Sequence, residues 1–249
     1  MKFRGCLRFA ETGKVILLEK LDSRLATVAD FVRKDTVAVD VGTDHGYLIC
    51  KLVEDGICKY AYATDINEKP LDSAKSLIHE LGMEDKIETR LTDGLLGLPE
   101  KGIDEVLICG MGGETIISIL EKAKWVKSEL VHIVLQPMSR SDMLRKWLCK
   151  NGFRIDEEKA VEVEEHLYTV MSVYFSGDEQ IPDDMYCIIG ELSNNTDKTA
   201  IKYIRWQASI QRSVAKGLMR SSAGKNAALH RMSMADMLDE QADELEKEL

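Results

Sequence analysis

From Val37 onward, short β-branched and apolar runs alternate with stretches in which apolar residues recur every three or four positions. A strand buried on both faces reads as a continuous apolar run, and a helix packed on one side reads as a 3.6-residue period. The pattern predicts strands near residues 37–41, 60–64, 87–90, 105–109 and 131–136, and helices over 47–54, 69–81, 114–122 and 142–151. Regular alternation of the two is what a parallel sheet with crossover helices requires. Two further strands, around 153–161 and 167–175, follow each other with no helical stretch between them, so an antiparallel hairpin is expected there.

Beyond residue 177 the period changes. Residues 178–197, with Pro182, Gly190 and the paired Asn194 and Asn195, read as a linker. Ile201, Ile204, Ala208, Gln211, Ala215 and Leu218 then follow at steps of three and four. After a break at 221–224, a second series runs through Ala228, Arg231, Ala235, Leu238, Ala242, Leu245 and Leu249. That spacing is a coiled-coil seam, and alanine alternating with larger residues suits two helices packed closely and antiparallel. A length of 249 residues accommodates an α/β domain over 1–177 and a C-terminal α-helical coiled-coil hairpin over 178–249.

Charge changes the picture at the hairpin. The net charge of −10 ordinarily counts against nucleic acid as a partner. Between Lys198 and Ala235, however, there is no Asp or Glu, while Lys202, Arg205, Arg212 and Lys216 all fall inside; the acids crowd 156–165 and the tail from Asp236. Two readings stand: a hairpin with solvated faces that caps the domain or dimerises, or one that grips RNA phosphates through these four cations. The longest N-terminal apolar run, 15–18, is too short for a spanning or signal segment, so no membrane association is expected. Six cysteines without a C-x-x-C pair or histidine partners at metal spacing point to reduced thiols in a cytoplasmic protein and to no metal site.

The most informative stretch follows the first strand, where Asp40, Gly42, Asp44 and Gly46 alternate with Val41, Thr43 and His45. Glycine lets the backbone approach a ligand, and the helix that follows aims its free amides at that ligand. A dinucleotide fingerprint wants glycine where this chain has Asp44. A carboxylate there repels a pyrophosphate but attracts a sulfonium cation carrying an α-amino group. The segment resembles the acidic, glycine-spaced first motif of S-adenosylmethionine (SAM) methyltransferases. A parallel sheet finished by an antiparallel hairpin also fits that plan better than the dehydrogenase plan.

Ligands in such sheets sit beyond the carboxyl ends of the strands. Asp65 closes the second strand, about twenty residues past Gly42, where it either accepts ribose hydroxyls or caps the helix starting near Asn67. Asp93-Gly94 after the third strand is either a contact for an adenine amino group or an ordinary Asp-Gly turn. Cys109-Gly110-Met111-Gly112-Gly113 after the fourth means a tight backbone or close approach of a ligand.

Several segments in order carry a more specific resemblance: Leu21-Asp-Ser-Arg-Leu25, Asp40-Val-Gly-Thr-Asp-His-Gly-Tyr-Leu48, Asp93-Gly-Leu95 and Ile108-Cys-Gly-Met-Gly-Gly113. With Leu135-Gln-Pro137, Arg145-Lys-Trp-Leu148 and Tyr168, they resemble the bacterial tRNA (adenine-N1)-methyltransferases that act on position 22 of the D-arm, the TrmK family. The chain departs from that pattern at Thr43, Gly46 and Ile49, and has Asp65 where glutamate is common. The resemblance implies a Rossmann-like class I SAM-dependent methyltransferase domain, a coiled coil used on tRNA, and methyl transfer to adenine N1. On that reading Asp40, Gly42, Asp44, Gly46, Asp65, Asp93, Gly94, Gly110 and Met111 hold SAM, and Asp44 and His45 are candidate catalytic groups. Arg24, Arg145 and Tyr168 join Lys202, Arg205, Arg212 and Lys216 as candidates for holding tRNA. His45 also reads as a helix cap or a packed ring. Residues 110–113 offer backbone groups in place of the side-chain clamp that methyltransferases of exocyclic amines carry, which suits a ring nitrogen with an in-plane lone pair. A small-molecule methyltransferase or a non-catalytic SAM-binding protein shares the cofactor features; the former has no use for an acid-free hairpin, and the latter transfers nothing to RNA.

Overall fold

In the computed structural model, which describes residues 8–9, 15–16, 21–220 and 224–249, the apolar runs form seven strands of one sheet. These are β3 (Thr36–Val41), β4 (Cys58–Asp65), β5 (Ile87–Leu91), β6 (Glu105–Gly112), β7 (His132–Ser139), β8 (Phe153–Val163) and β9 (His166–Phe175). The two-residue strands β1 (Arg8–Phe9) and β2 (Val15–Ile16) pair separately. The order is β5-β4-β3-β6-β7-β9-β8, parallel from β5 to β7, with β9 antiparallel to β7 and β8 antiparallel to β9. The closing hairpin turns at Glu164 and Glu165, both at positive φ (47° and 68°), the sense of turn that matches strand twist.

Successive side chains of each strand face opposite sides of the sheet. Val39, Ile108, Ile133 and Leu135 pack with Ile116 and Leu120 of α4 (Gly113–Lys122) and with Leu144 and Leu148 of α5 (Ser141–Lys150). Ala38, Leu107 and Val134 pack with Val28 of α1 (Ser23–Phe31), Leu48 and Leu52 of α2 (Tyr47–Glu54) and Ile78 of α3 (Glu68–Glu80). Each fully buried aliphatic side chain contributes about 1.5–3 kcal/mol, so this two-faced core fixes the strand ends on which the site is built. Helix α1 has no counterpart in the periodicity reading; its N-cap is Asp22, whose carboxylate accepts from the Leu25 N–H at 2.8 Å.

The expectation of a plain linker over 178–197 is corrected. Asp183 caps α6 (Asp184–Ile189), a 3-10 turn follows over Gly190–Asn194, and Cys187, Ile188, Ile189 and Leu192 are buried. Ile188 and Ile189 pack into the helical core while Leu192 packs with Leu167, so the segment wedges the C-terminal helices against the sheet. The two helices are α7 (Lys198–Leu218) and α8 (Lys225–Lys247). They run antiparallel, since Arg205 pairs with Asp243 and Arg212 with Asp236. Ile201, Ile204, Ala208, Ala215, Ala228, Ala235, Leu238, Ala242 and Leu245 of the predicted seam are buried, whereas Leu249 is exposed. Gln211, the buried polar member, accepts a hydrogen bond from Arg231 at 2.5 Å. Residues 221–223 of the predicted break, and Cys6, lie outside the described residues. Among the described residues no helix is long and apolar enough to cross a membrane.

Candidate active site

Strand order reverses at β3, with β4 and β5 on one side and β6 and β7 on the other. The carboxyl ends of the strands part at such a point, and a cavity of about 620 Å³ opens there. Asp40, Gly42, Asp44, His45, Asp65, Asp93, Gly94, Gly110 and Met111 line it from the strand ends where the sequence places them, and Arg24 reaches it from α1. Gly46 does not. It is the N-cap of α2 at φ +77°, and a Cβ there would lie 3.1 Å from that of Ala74, so it serves the turn and the packing of α2 on α3.

Asp40 is buried at the end of β3 and accepts from the Thr43 hydroxyl at 2.8 Å. Burial pushes its pKa up to about 6; the Thr43 hydrogen bond opposes the rise and the nearby Asp65 charge adds to it. Such a carboxyl gains most from a cation placed beside it. Gly42 bends the chain at φ +72°, and a Cβ there would collide with the Met111 methyl, which ties the β3 turn to the β6 loop. Asp44 (φ +51°) and His45 are exposed on the rim, 3.7 Å apart between Oδ1 and Nε2. The His45 ring lies 5.7 Å from that of Tyr47, and it does not cap α2.

Asp65 is buried at the end of β4, and its Oδ1 accepts from the Asn67 N–H at 2.8 Å. The N-cap of α3 is Asn67, so Asp65 fixes the turn into that helix while its carboxylate lines the cavity. Beside it Ile66 is 64% exposed on the cavity wall. Asp93 also lines the cavity and accepts from Lys122 Nζ at 2.6 Å. Gly94, at φ +63°, makes the Asp-Gly turn.

At the end of β6 the ladder shifts register around Met111, beside Gly110 at φ +76°. The Gly110 N–H donates to the Oε1 of buried Gln136 at 3.0 Å, and the same oxygen accepts from Arg24 Nη1 at 2.7 Å. The expectation that this loop presents its backbone groups to a ligand is therefore corrected at Gly110, whose amide is held by Gln136. Gly113 serves tight backbone: a Cβ there would lie 2.5 Å from the Arg140 carbonyl oxygen. Burial and the neighbouring Asp40 push the Cys109 thiol well above its ordinary pKa, so it remains protonated and is no nucleophile at neutral pH.

Among the residues at the site that the sequence did not assign to it are Thr43, Ile66, Gln136 and Met138. Ile66 carried a signal, being an apolar residue just past a strand-end carboxylate. Gln136 stands in the Leu135-Gln-Pro137 segment of the family resemblance, but closing an apolar run it reads as core, and no local pattern tells that it holds Gly110 and Arg24.

The RNA candidates separate sharply. Arg24 reaches the cavity, and Tyr168 lines an adjoining groove of about 370 Å³ that shares Met138 with it. Arg145 is corrected: it is fully buried, pairs with Glu158 and donates to the carbonyls of Cys187 and Ile188, so it cannot meet a substrate. The hairpin cations are corrected in part. Arg205 pairs with Asp243 and Glu246 and Arg212 with Asp236 and Asp239, because the antiparallel turn lays the acidic tail along the basic helix, while Lys202 pairs with Glu162 of β8, on the sheet side of α7. Among the described residues Lys216, Arg220, Lys225 and Arg231, toward the far end of the hairpin, form no ion pair.

Asp40, Asp44, Asp65 and Asp93 together would repel a pyrophosphate, while the exposed Ile66 offers apolar cover for a flat ring. A ligand with a cationic end, vicinal hydroxyls and an amino-bearing ring fits these groups, and SAM is such a ligand. A family model described as a methyltransferase domain matches residues 21–171. The chain is 30% identical over 195 residues to the tRNA (adenine(22)-N(1))-methyltransferase of Bacillus subtilis, covering 77% of this chain and 82% of that one. Its fold is similar to a Streptococcus pneumoniae protein solved with S-adenosyl-L-methionine, with TM-score 0.76 and 29% identity over 88% of this chain and 100% of that one. It is also similar to M. capricolum TrmK solved with S-adenosyl-homocysteine, with TM-score 0.75 and 26% identity over 90% and 98% of the two chains.

Proposed function

This chain belongs to the tRNA (adenine(22)-N(1))-methyltransferase family, and from that premise we propose that it transfers the methyl group of SAM to N1 of adenosine 22 in the D-arm of tRNA. The observation that carries the reading is the cavity at the switch point, where four carboxylates meet a β6 loop that has no side-chain clamp for an exocyclic amine. Asp65 and Asp93 hold the ribose hydroxyls and the adenine amino group of SAM, and Asp40 and Asp44 face its cationic end. Bound SAM supplies a sulfonium methyl group open to in-line displacement, a reaction governed by positioning. Gln136 fixes Gly110 and Arg24 at the cavity wall, which the target base would meet on entering. Adenine N1 lies on the Watson–Crick edge, so the target nucleotide is extruded before it enters. Methylation leaves a cation on the base, and the rim carboxylate of Asp44, with His45, stabilises it or takes the amino proton.

The tRNA is held by the far end of the hairpin, where Lys216, Arg220 and Lys225 form no ion pair among the described residues and are free to meet phosphates, and not by Arg205 and Arg212, each of which is shared between two carboxylates. A cytoplasmic location fits this substrate. Incubation with methyl-labelled SAM and bulk tRNA tests the reading: label in tRNA is expected. SAM binding with label only in small amines would favour a small-molecule enzyme, and binding with no transfer a scaffold.

A further inference from the structure

The groove beside the cofactor cavity is unused by the chemistry above. It lies between the ends of β7 and β9 and the face of α7, and Met138 lines both spaces, so the two are continuous across one side chain. On the α7 wall Trp206 is 40% exposed, tilted against buried Tyr203 at 5.5 Å between ring centroids. Tyr168 lies on the sheet side, and Arg140 and Arg231 are both exposed at the groove, Arg140 in a loose 3.6 Å pair with Asp142 and Arg231 donating one Nη1 hydrogen bond to Gln211, which leaves its other nitrogens for an anion. Arg140 is held in the left-handed region at φ +56°, a conformation admitted by the missing Cβ of Gly113. An indole left open to solvent beside two cations, next to a space that takes an extruded base, has the makeup of a base-stacking seat in which aromatic faces supply affinity and Arg neutralises phosphate.

We infer that this groove seats a nucleobase flanking the target adenine, stacked on Trp206, with Arg140 and Arg231 on its phosphates; this rests on the tRNA methyltransferase reading. Extruding one nucleotide unstacks its neighbour, and a seat one residue away from the cofactor cavity restacks that neighbour on protein. The groove thus couples opening of the tRNA to presentation of the target.

The test uses the full chain with Trp206→Phe and Trp206→Leu. Stacking on an aromatic side chain is worth about 1–3 kcal/mol per base, so Trp206→Leu should raise the tRNA KM about tenfold or more. Trp206→Phe keeps a π face and should stay within about threefold of wild type. SAM affinity by calorimetry should not change in either variant. A tRNA carrying 2-aminopurine next to the target should be quenched by wild-type protein and not by Trp206→Leu. If Trp206→Leu lowers thermal stability, quenching with the wild type and the Phe variant still decides. Wild-type transfer to tRNA with unchanged KM for the Leu variant and no quenching overturns this inference alone; no transfer by wild type overturns the underlying reading as well. A wild-type dimer in sedimentation that the Leu variant dissociates, with KM unchanged, would make the groove a seat for a second copy and also overturn the inference.

Discussion

The Arg145 guanidinium lies 2.7 Å from the Glu158 carboxylate with both side chains wholly buried, and the pair joins α5 and β8 to the carbonyls of α6. Burial opposes the charge on Arg145, but Glu158 beside it wins and holds the guanidinium pKa above its ordinary value. Glu158 is further satisfied by the Thr169 hydroxyl and by the Glu191 N–H, and Gly190 at φ +54° leaves room for its carboxylate.

Removing one member of such a pair leaves a buried charge uncompensated, so Arg145→Ala should lose about 3–5 kcal/mol of stability. Urea unfolding measures this. A variant of wild-type stability with weakened tRNA binding would instead restore Arg145 to the substrate surface.

Asp40 makes stability depend on pH in an identifiable direction. Its folded pKa of about 6 lies above its ordinary value of 3.8, so the folded state binds the proton more tightly than the unfolded one. The contribution of Asp40 therefore falls as pH rises from about 4 to about 6, by roughly 3 kcal/mol in all. Asp40→Asn, which has no charge to bury, should gain stability relative to wild type over that interval. A stability difference independent of pH would show that Asp40 is not buried as described.

Asp65→Ala should lose charge-assisted hydrogen bonds to ribose worth about 1.5–3 kcal/mol, weakening SAM by roughly tenfold or more. Loss of the Asn67 contact adds a stability cost of about 1 kcal/mol, by analogy with helix caps, which unfolding separates from the binding effect. Unchanged SAM affinity by calorimetry would leave Asp65 with the turn alone.

The cavity was legible because a parallel sheet sends every strand end to one edge, so Asp40, Asp65, Asp93 and Gly110 could be placed together without knowing any contact. Features that depend on what returns from far along the chain were not. Arg145 looks like a surface charge on an amphipathic helix until Glu158 and the carbonyls of α6 close over it. The acid-free stretch after Lys198 looks like a bare basic face until the tail lays Asp236, Asp239, Asp243 and Glu246 beside it. Residues 187–192 read as linker because so short an apolar group shows no period by itself.

The charge map of the hairpin separates two variants. Lys216, Arg220 and Lys225 replaced together by Gln should raise the tRNA KM and flatten the salt dependence, by roughly 0.7–0.9 in log–log slope per lost phosphate contact. Arg205 and Arg212 replaced by Gln should change tRNA binding little and stability by about 0–1 kcal/mol per exposed pair. Reversal of the two outcomes in a salt titration would put the RNA on the basal half of the hairpin.

The most direct measurement is mass mapping of modified nucleosides in tRNA after incubation with the protein and SAM. One methyl group on N1 of the adenosine at position 22 is expected, and its yield should fall with Asp65→Ala. A methyl group at another position or on an exocyclic nitrogen, or an unmodified tRNA in the presence of bound SAM, would contradict the assignment.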